Sequence, residues 1–112
     1  MKGKHILADV VNIINFNLLK TIDGVKPLME KIIKEMKLTV VGEIQHQFEP
    51  YGATLLYLLS ESHLSIHTYV DEQYCAIDLY CCNENINSNK VLDIIYQYFG
   101  GECIIRKNVI DR

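Results

Sequence analysis

The stretch of sequence that decides the fold is residues 54–82, TLLYLLSESHLSIHTYVDEQYCAIDLYCC. It contains three runs rich in apolar, β-branched and aromatic residues, at 54–59, 64–69 and 74–82. Short polar segments separate these runs. Runs of this length and composition, bounded by polar turns, are typical of strands joined by hairpins. The stretch therefore predicts three consecutive strands of a mainly antiparallel sheet.

The register of the last two strands follows if a four-residue hairpin loop comes after Tyr69. Tyr69 then pairs with Tyr74, and counting back along both strands places Glu61 opposite Cys82. One cysteine of the four is thereby placed beside the peptide bond that follows Glu61. A slip of one residue would turn Cys82 away and bring Cys81 there instead.

The polar segment at residues 60–63, Ser-Glu-Ser-His, interrupts two strongly apolar strands, as an ordinary surface turn does. Three chemistries can use the side chains around it. His63, His67 and a cysteine can bind a metal, although their spacing fits no common zinc pattern. Cys82 and His67 can form a nucleophilic pair, or Ser62 can be the reacting group, with proton donors and acceptors around it. Five residues of straight strand span about 16 Å, so His67 reaches Ser62 only if the chain folds back.

The remainder of the chain predicts two amphipathic helices and three further strands. Apolar residues recur with helical spacing at 25–36 and at 88–99, and strands are expected at 5–11, 39–48 and 103–106. The resulting order β-α-β-β-β-β-α-β is that of a single α+β domain with both helices on one face of the sheet. The other face needs a cover, which predicts a dimer whose two sheets stack as an αββα sandwich.

The start of the first helix depends on Asp23 and Pro27. Asp23 is the expected cap, because its carboxylate can accept hydrogen bonds from backbone N–H groups at a helix start. Proline lacks the N–H donor and clashes with the preceding turn, so Pro27 is tolerated only in the first turn.

Composition limits the classes of function. The chain has 112 residues, a formal net charge of −3, 49% hydrophobic and 22% charged residues. This size suits one domain, and the acidic balance argues against nucleic-acid binding through a basic face. No apolar run approaches the roughly 20 residues of a membrane-spanning helix. The four cysteines form no evident disulfide framework, which favours reduced thiols in a cytoplasm.

Four motifs together resemble the small prokaryotic-type S-adenosylmethionine decarboxylases, over nearly the whole chain. The most specific is SESHLSIHT at 60–68; the others are GKHILAD at 3–9, HQFEPYG at 46–52 and YCAIDLYCC at 74–82. Members of this family are self-cleaving proenzymes that use a pyruvoyl group rather than a metal. The resemblance therefore implies an adenosylmethionine decarboxylase, a carboxy-lyase that supplies aminopropyl groups for spermidine synthesis and that works as a homodimer.

If this chain follows the family, its self-cleavage falls between Glu61 and Ser62. The cleavage leaves a β chain of residues 1–61 and an α chain of residues 62–112. Ser62 becomes the pyruvoyl group that forms a Schiff base with the substrate amine. The resemblance assigns His67 the role of processing base and Cys82 that of proton donor in decarboxylation. Thr54 stands where a processing serine hydroxyl is common, and it retains a hydroxyl.

The resemblance also implies a substrate pocket. Phe48 and Tyr69 would sandwich the adenine, and an acid that follows Tyr69 would hold the ribose hydroxyls. That acid is Asp71, with Glu72 as the alternative because aspartate is shorter than the usual glutamate. Two other functions stay open at this point: a pyruvoyl-dependent decarboxylase of ornithine or arginine on the same scaffold, and an uncleaved, inactive homologue that binds a partner.

Overall fold

Six strands and two helices follow one another in the predicted order across residues 3–112, the part of the chain that this computed structural model describes. In chain order they are β1 (Lys4–Val11), α1 (Ile22–Glu35), β2 (Val40–Gln47), β3 (Ala53–Leu59), β4 (Ser62–Tyr69), β5 (Tyr74–Cys81), α2 (Ser88–Phe99) and β6 (Ile104–Asp111). The strands form one antiparallel sheet in the order β2-β3-β4-β5-β1-β6. The α+β class is therefore confirmed.

The predicted hairpin register between β4 and β5 is confirmed. Tyr69 pairs with Tyr74, and the ladder continues in step to His63 opposite Tyr80. The loop between the two strands contains a short 3-10 turn and ends at Gln73, which has a left-handed φ of 51°. Because the register holds, the start of β4 lies beside the end of β5, as the count along the two strands requires.

The expected cap of α1 is wrong. The helix begins at Ile22, and the capping group is Thr21, whose side-chain oxygen accepts a hydrogen bond from the Gly24 N–H at 3.1 Å. Pro27 consequently lies in the second turn and not in the first. Gly24 makes this earlier start possible, since a Cβ there would lie only 2.1 Å from the carbonyl oxygen of Leu18.

The last strand is longer than its apolar residues predict. It was expected at 103–106, but β6 runs to Asp111 and pairs with β1 along the whole length of β1. At the far end the Lys4 ammonium lies 2.9 Å from the Asp111 carboxylate. Residues 106–108 are polar and therefore show no strand pattern in the sequence. Their backbone nevertheless forms a strand, because it pairs with β1.

The two faces of the sheet differ in burial. Both helices cover one face, and side chains such as Leu55, Ile66 and Met29 are fully buried between the layers. The opposite face, here called the open face, exposes the large apolar side chains Ile44, Leu56, Leu58 and Ile110. Within residues 3–112, neither helix is long and apolar enough to cross a membrane.

Candidate active site

One end of the sheet contains a cavity of about 470 Å³, bounded by β3, β4 and the loops that follow β2 and β4. Six of the side chains singled out in the sequence line it: Phe48, Thr54, His67, Tyr69, Asp71 and Glu72. These residues come from four separate segments of the chain, and the pairing of β2, β3 and β4 brings them together. We call this region the substrate cavity.

The loop that carries Phe48 is organised by the side chain of Gln47. Its amide oxygen accepts a hydrogen bond from the Ile22 N–H at 2.8 Å, and its nitrogen donates to the carbonyl oxygens of Lys20 at 2.9 Å and Gly52 at 3.0 Å. Gly52 has a φ of +118°, which only glycine adopts without strain. The loop is thereby held against the start of α1, and the Phe48 ring stays 46% exposed at the cavity.

Thr54 and His67 are opposite each other across β3 and β4. The Thr54 hydroxyl oxygen is 3.1 Å from Nδ1 of His67. This contact orients the imidazole and leaves Nε2, the other ring nitrogen, to accept or give a proton at the cavity. The pair therefore has the geometry of a base held by a hydroxyl.

Tyr69 is stacked on Tyr74, with ring centroids 5.2 Å apart and an angle of 23° between the ring planes. The Tyr74 hydroxyl donates a 2.9 Å hydrogen bond to the Asp9 carboxylate. Burial, together with this hydrogen bond, raises the pKa of Tyr74 to about 12. One face of the Tyr69 ring is thus occupied by Tyr74, and the ring is still 46% exposed for stacking of a planar ligand.

The carboxylate of Asp71 is held by a residue that the sequence did not single out. The Tyr51 hydroxyl donates to Oδ1 of Asp71 at 2.6 Å, and this hydrogen bond raises the pKa of Tyr51 above its usual value. Glu72 also lines the cavity. The geometry therefore presents two carboxylates there, of which Asp71 is fixed by a neighbour.

The proposed cleavage position lies at the other end of β4. Glu61 is exposed in the two-residue turn between β3 and β4, and Ser62 is the first residue of β4. Oγ of Ser62 accepts a hydrogen bond from the Cys82 N–H at 3.1 Å. Ser62 and Cys82 also line a cavity of about 180 Å³. The structure thus brings these three residues into one neighbourhood.

The structure does not bring His67 to Ser62. Both residues lie on the same continuous strand, five positions apart, which corresponds to about 16 Å. Residues an odd number of positions apart also point to opposite faces of a strand. A single copy of the chain therefore has its serine and cysteine at one end of β4 and its histidine, threonine and aromatic residues at the other.

The thiols differ in exposure. All four cysteines are free; Cys82 is exposed, whereas Cys75, Cys81 and Cys103 are buried. Burial raises the pKa of the Cys75 thiol. No group of three or more His, Cys, Asp or Glu side chains within residues 3–112 is placed to bind a metal ion. Cys82 is therefore the thiol that a ligand can reach.

Sequence reasoning missed three residues that position others around the substrate cavity: Gln47, Tyr51 and Tyr74. The sequence did give an indication for Tyr74, because the predicted hairpin register already placed it opposite Tyr69. Tyr51 and Gln47 act across 20 to 27 positions of the chain, and no local pattern marks contacts of this kind. Their roles follow only from the folded structure.

Comparisons with known proteins agree on one family. The family model described as S-adenosylmethionine decarboxylase matches residues 4–112. An S-adenosylmethionine decarboxylase proenzyme of Sulfurihydrogenibium sp. (strain YO3AOP1) is 40% identical over 93 residues, covering 83% of this chain and 69% of the relative. That of Brevibacillus brevis is 34% identical over 108 residues, covering 96% and 80%.

A solved structure is similar over the whole fold. The crystal structure of the adenosylmethionine decarboxylase from Aquifex aeolicus superimposes with a TM-score of 0.87 at 30% sequence identity. The match covers 99% of this chain and 90% of that one. The similarity therefore includes all six strands and both helices.

Proposed function

The chain belongs to the S-adenosylmethionine decarboxylase family, and from this premise we propose that it is a self-processing, pyruvoyl-dependent enzyme that decarboxylates S-adenosylmethionine. Its product is the aminopropyl donor for spermidine synthesis. The observation that carries the proposal is the hydrogen bond that the Cys82 N–H donates to Oγ of Ser62. Ser62 belongs to the family motif at residues 60–68. The names of the relatives favour S-adenosylmethionine over ornithine or arginine, and an active proenzyme over an inactive homologue.

Self-cleavage needs a serine oxygen that is positioned before reaction. Oγ of Ser62 attacks the carbonyl carbon of Glu61, the bond from that carbon to the Ser62 nitrogen breaks, and the hydroxyl proton passes to the nitrogen. Loss of the Ser62 Cα proton then expels the Glu61 carboxylate, and hydrolysis of the remaining enamine releases ammonia. The Cys82 N–H contributes by holding Oγ in place before the first step, which reduces the freedom that the nucleophile has to lose.

The residues around Ser62 suit the group that this reaction leaves. A pyruvoyl group at residue 62 supplies a ketone for the substrate amine and an electron sink for decarboxylation. Ser62 and the exposed Cys82 both line the adjoining cavity of about 180 Å³, so the thiol lies close to the residue that reacts. We assign Cys82 as the acid that protonates the substrate carbon, since a thiol can act as a general acid.

We further propose that two copies of the chain form each active site. The processing base His67 is about 16 Å from Ser62 along β4, so it acts on the Ser62 of a second copy. In a two-fold stack of open faces with β4 strands antiparallel, the His67 end of one protomer lies over the Ser62 end of its partner. Because the Ser62 side chain points away from the open face, His67 would approach the backbone of residue 62, where the Cα proton is. Each substrate cavity would then receive the reacting end of a second chain.

The open face favours such a stack. Ile44 is 68% exposed and Leu58 is 59% exposed, and both belong to an apolar patch on a face that no helix covers. Burial of apolar surface is the main driving force for association. The dimer that we propose is the αββα sandwich, with helices on both outer sides. Four free thiols suit a reducing compartment, and we place the enzyme in the cytoplasm.

In the assembled site, the substrate cavity binds the nucleoside part of the substrate. The exposed rings of Phe48 and Tyr69 stack on the adenine, and the carboxylate of Asp71 accepts hydrogen bonds from the ribose hydroxyls. The reacting amine and carboxylate extend toward residue 62 of the partner. His67, held by Thr54, removes the Cα proton during processing.

Mass measurement of the purified protein tests the cleavage. Denaturing mass spectrometry should find fragments 1–61 and 62–112, the second with a blocked N-terminus, and Ser62→Ala should give one intact chain. Release of carbon dioxide should then be measured with S-adenosylmethionine, ornithine and arginine in parallel. A wild-type chain that stays intact at all times, or faster turnover of an amino acid, would refute the proposal.

Co-expression of two inactive variants tests the shared site. Ser62→Ala lacks the serine, and His67→Ala lacks the base, so each alone should remain uncleaved. In a mixed dimer the His67→Ala chain should be cleaved, because its Ser62 meets the intact His67 of the partner. If neither chain is cleaved when both are present in one dimer, the site lies within a single protomer.

A further inference from the structure

We propose that the left-handed backbone of Glu61 is a strained element that accelerates self-cleavage, separately from any role of its carboxylate. The inference rests on the proposed self-processing at the Glu61–Ser62 bond. The φ of Glu61 is +62°. A residue with a Cβ atom is disfavoured in this region by roughly a factor of ten, because Cβ approaches the following carbonyl oxygen.

The type of turn adds to the strain. Leu59 pairs with Ser62, so the hairpin loop has only two residues, Ser60 and Glu61. Two-residue hairpins favour turns in which the first central residue has a positive φ, because those turns match the twist of the strands. In this turn Glu61 is the residue with a positive φ, and Ser60 does not share it. This turn conformation is therefore unfavourable for two reasons: a residue with a Cβ atom has a left-handed φ, and the turn type does not match the twist of β3 and β4.

Both flanks of the turn are fixed by neighbouring segments. The Ser60 N–H donates to the carbonyl oxygen of Thr39 at 3.1 Å, and the Cys82 N–H donates to Oγ of Ser62 at 3.1 Å. Glu61 thus cannot relax by moving the turn as a whole. The side chains of Ser60 and Glu61, the two residues of the loop, are both exposed.

The first step of processing lengthens the turn. Before reaction, the path from the Glu61 carbonyl carbon to the Ser62 Cα passes through one atom, the nitrogen. After the acyl group moves to Oγ, the path passes through Oγ and Cβ, and the ester replaces the amide. This additional atom allows Glu61 to leave the left-handed region, so the strain favours the ester over the peptide.

A matched pair of substitutions isolates the backbone. Glu61→Ala and Glu61→Gly both remove the carboxylate, but only glycine removes the Cβ that makes the left-handed conformation unfavourable. We expect Glu61→Gly to be cleaved about three- to tenfold more slowly than Glu61→Ala, measured as loss of intact chain by denaturing mass spectrometry. Equal rates for the two variants would overturn the role of strain.

A second measurement does not depend on cleavage. In the uncleavable Ser62→Ala background, Glu61→Gly should melt about 2 to 5 °C above Glu61→Ala, because the folded turn is no longer strained. A melting temperature equal to or below that of the alanine variant would show that no strain exists there. An uncleaved wild-type chain refutes the proposed function itself, whereas a cleaved wild type with equal variant rates refutes only this inference.

Discussion

The hydroxyl of Tyr51 donates a 2.6 Å hydrogen bond to the carboxylate of Asp71, and so joins the loop after β2 to the turn after β4. Both residues line the substrate cavity, and the two loops are its walls. The bond fixes a carboxylate at the position where the proposed mechanism needs a partner for the ribose. In the proposed mechanism Tyr51 is therefore a positioning residue, which would act on the substrate through Asp71.

We expect Tyr51→Phe to raise KM for S-adenosylmethionine about fivefold and to leave kcat and self-cleavage unchanged. Loss of one hydrogen bond to a charged group at an accessible site corresponds to about 1 kcal/mol. Steady-state rates of carbon dioxide release measure this effect. Tyr96→Phe is the matched control, since the Tyr96 hydroxyl bonds the Gly101 carbonyl, away from the cavity. A fall in kcat without a change in KM would contradict the role.

The two carboxylates of the cavity should differ in importance. Asp71→Asn is expected to raise KM about tenfold, because a fixed carboxylate loses little freedom when it accepts the ribose hydroxyls. Glu72→Gln should change KM less than twofold. The same steady-state assay decides between them, and a larger effect of Glu72→Gln would assign the ribose contact to Glu72.

Thr54 should matter for processing through its hydroxyl. Thr54→Val keeps the shape but removes the contact with Nδ1 of His67, so we expect self-cleavage to slow by about tenfold. Thr54→Ser restores the hydroxyl and should be cleaved at close to the wild-type rate. Time courses of intact chain measure both. Equal rates for the valine and serine variants would show that Thr54 does not orient the histidine.

Substitution of Cys82 should impair decarboxylation and leave self-cleavage largely intact. Cys82→Ala keeps the backbone N–H that bonds Ser62, so cleavage should continue. Decarboxylation should fall by at least about a hundredfold, because a positioned general acid contributes this much. Mass spectrometry and carbon dioxide release are measured on the same sample. Cys81→Ala, which changes a buried thiol in the same segment, is the control for packing.

Tyr74 should make the fold less stable at high pH. Its pKa in the folded protein is about 12, against an ordinary value near 10, so the unfolded chain loses the proton first as pH rises. The stability that Tyr74 contributes is therefore complete below about pH 10 and is lost between about pH 10 and 12. Thermal unfolding of Ser62→Ala at about pH 9 and 11 should show a smaller loss when Tyr74→Phe is added. Equal losses would mean that Tyr74 titrates normally.

Local patterns predicted the elements better than their ends. The helical spacing at 88–99 gave α2 with its true bounds, and the hairpin count gave the β4–β5 register residue by residue. The start of α1 was wrong because Thr21, a local capping residue, was overlooked in favour of Asp23, and the end of β6 was wrong because a distant strand decides it. Thr21 caps α1 where a glycine lets the preceding turn pack closely, and β6 extends as far as β1 pairs with it.

By itself, the sequence determined the family and the α+β class, and it led to the roles that we propose for residues 61, 62 and 82. The family and the roles follow from the resemblance of short motifs, and the class follows from periodicity and short-range pairing, in which one loop length sets a register. Only the tertiary structure decided that β1 lies between β5 and β6, that Tyr51 holds Asp71, and that Ser62 and His67 lie at opposite ends of one strand. Each of these depends on contacts between segments far apart in the chain, whose geometry exists only after the sheet has formed. The left-handed Glu61 has the same origin, since its neighbours are fixed by Thr39 and Cys82.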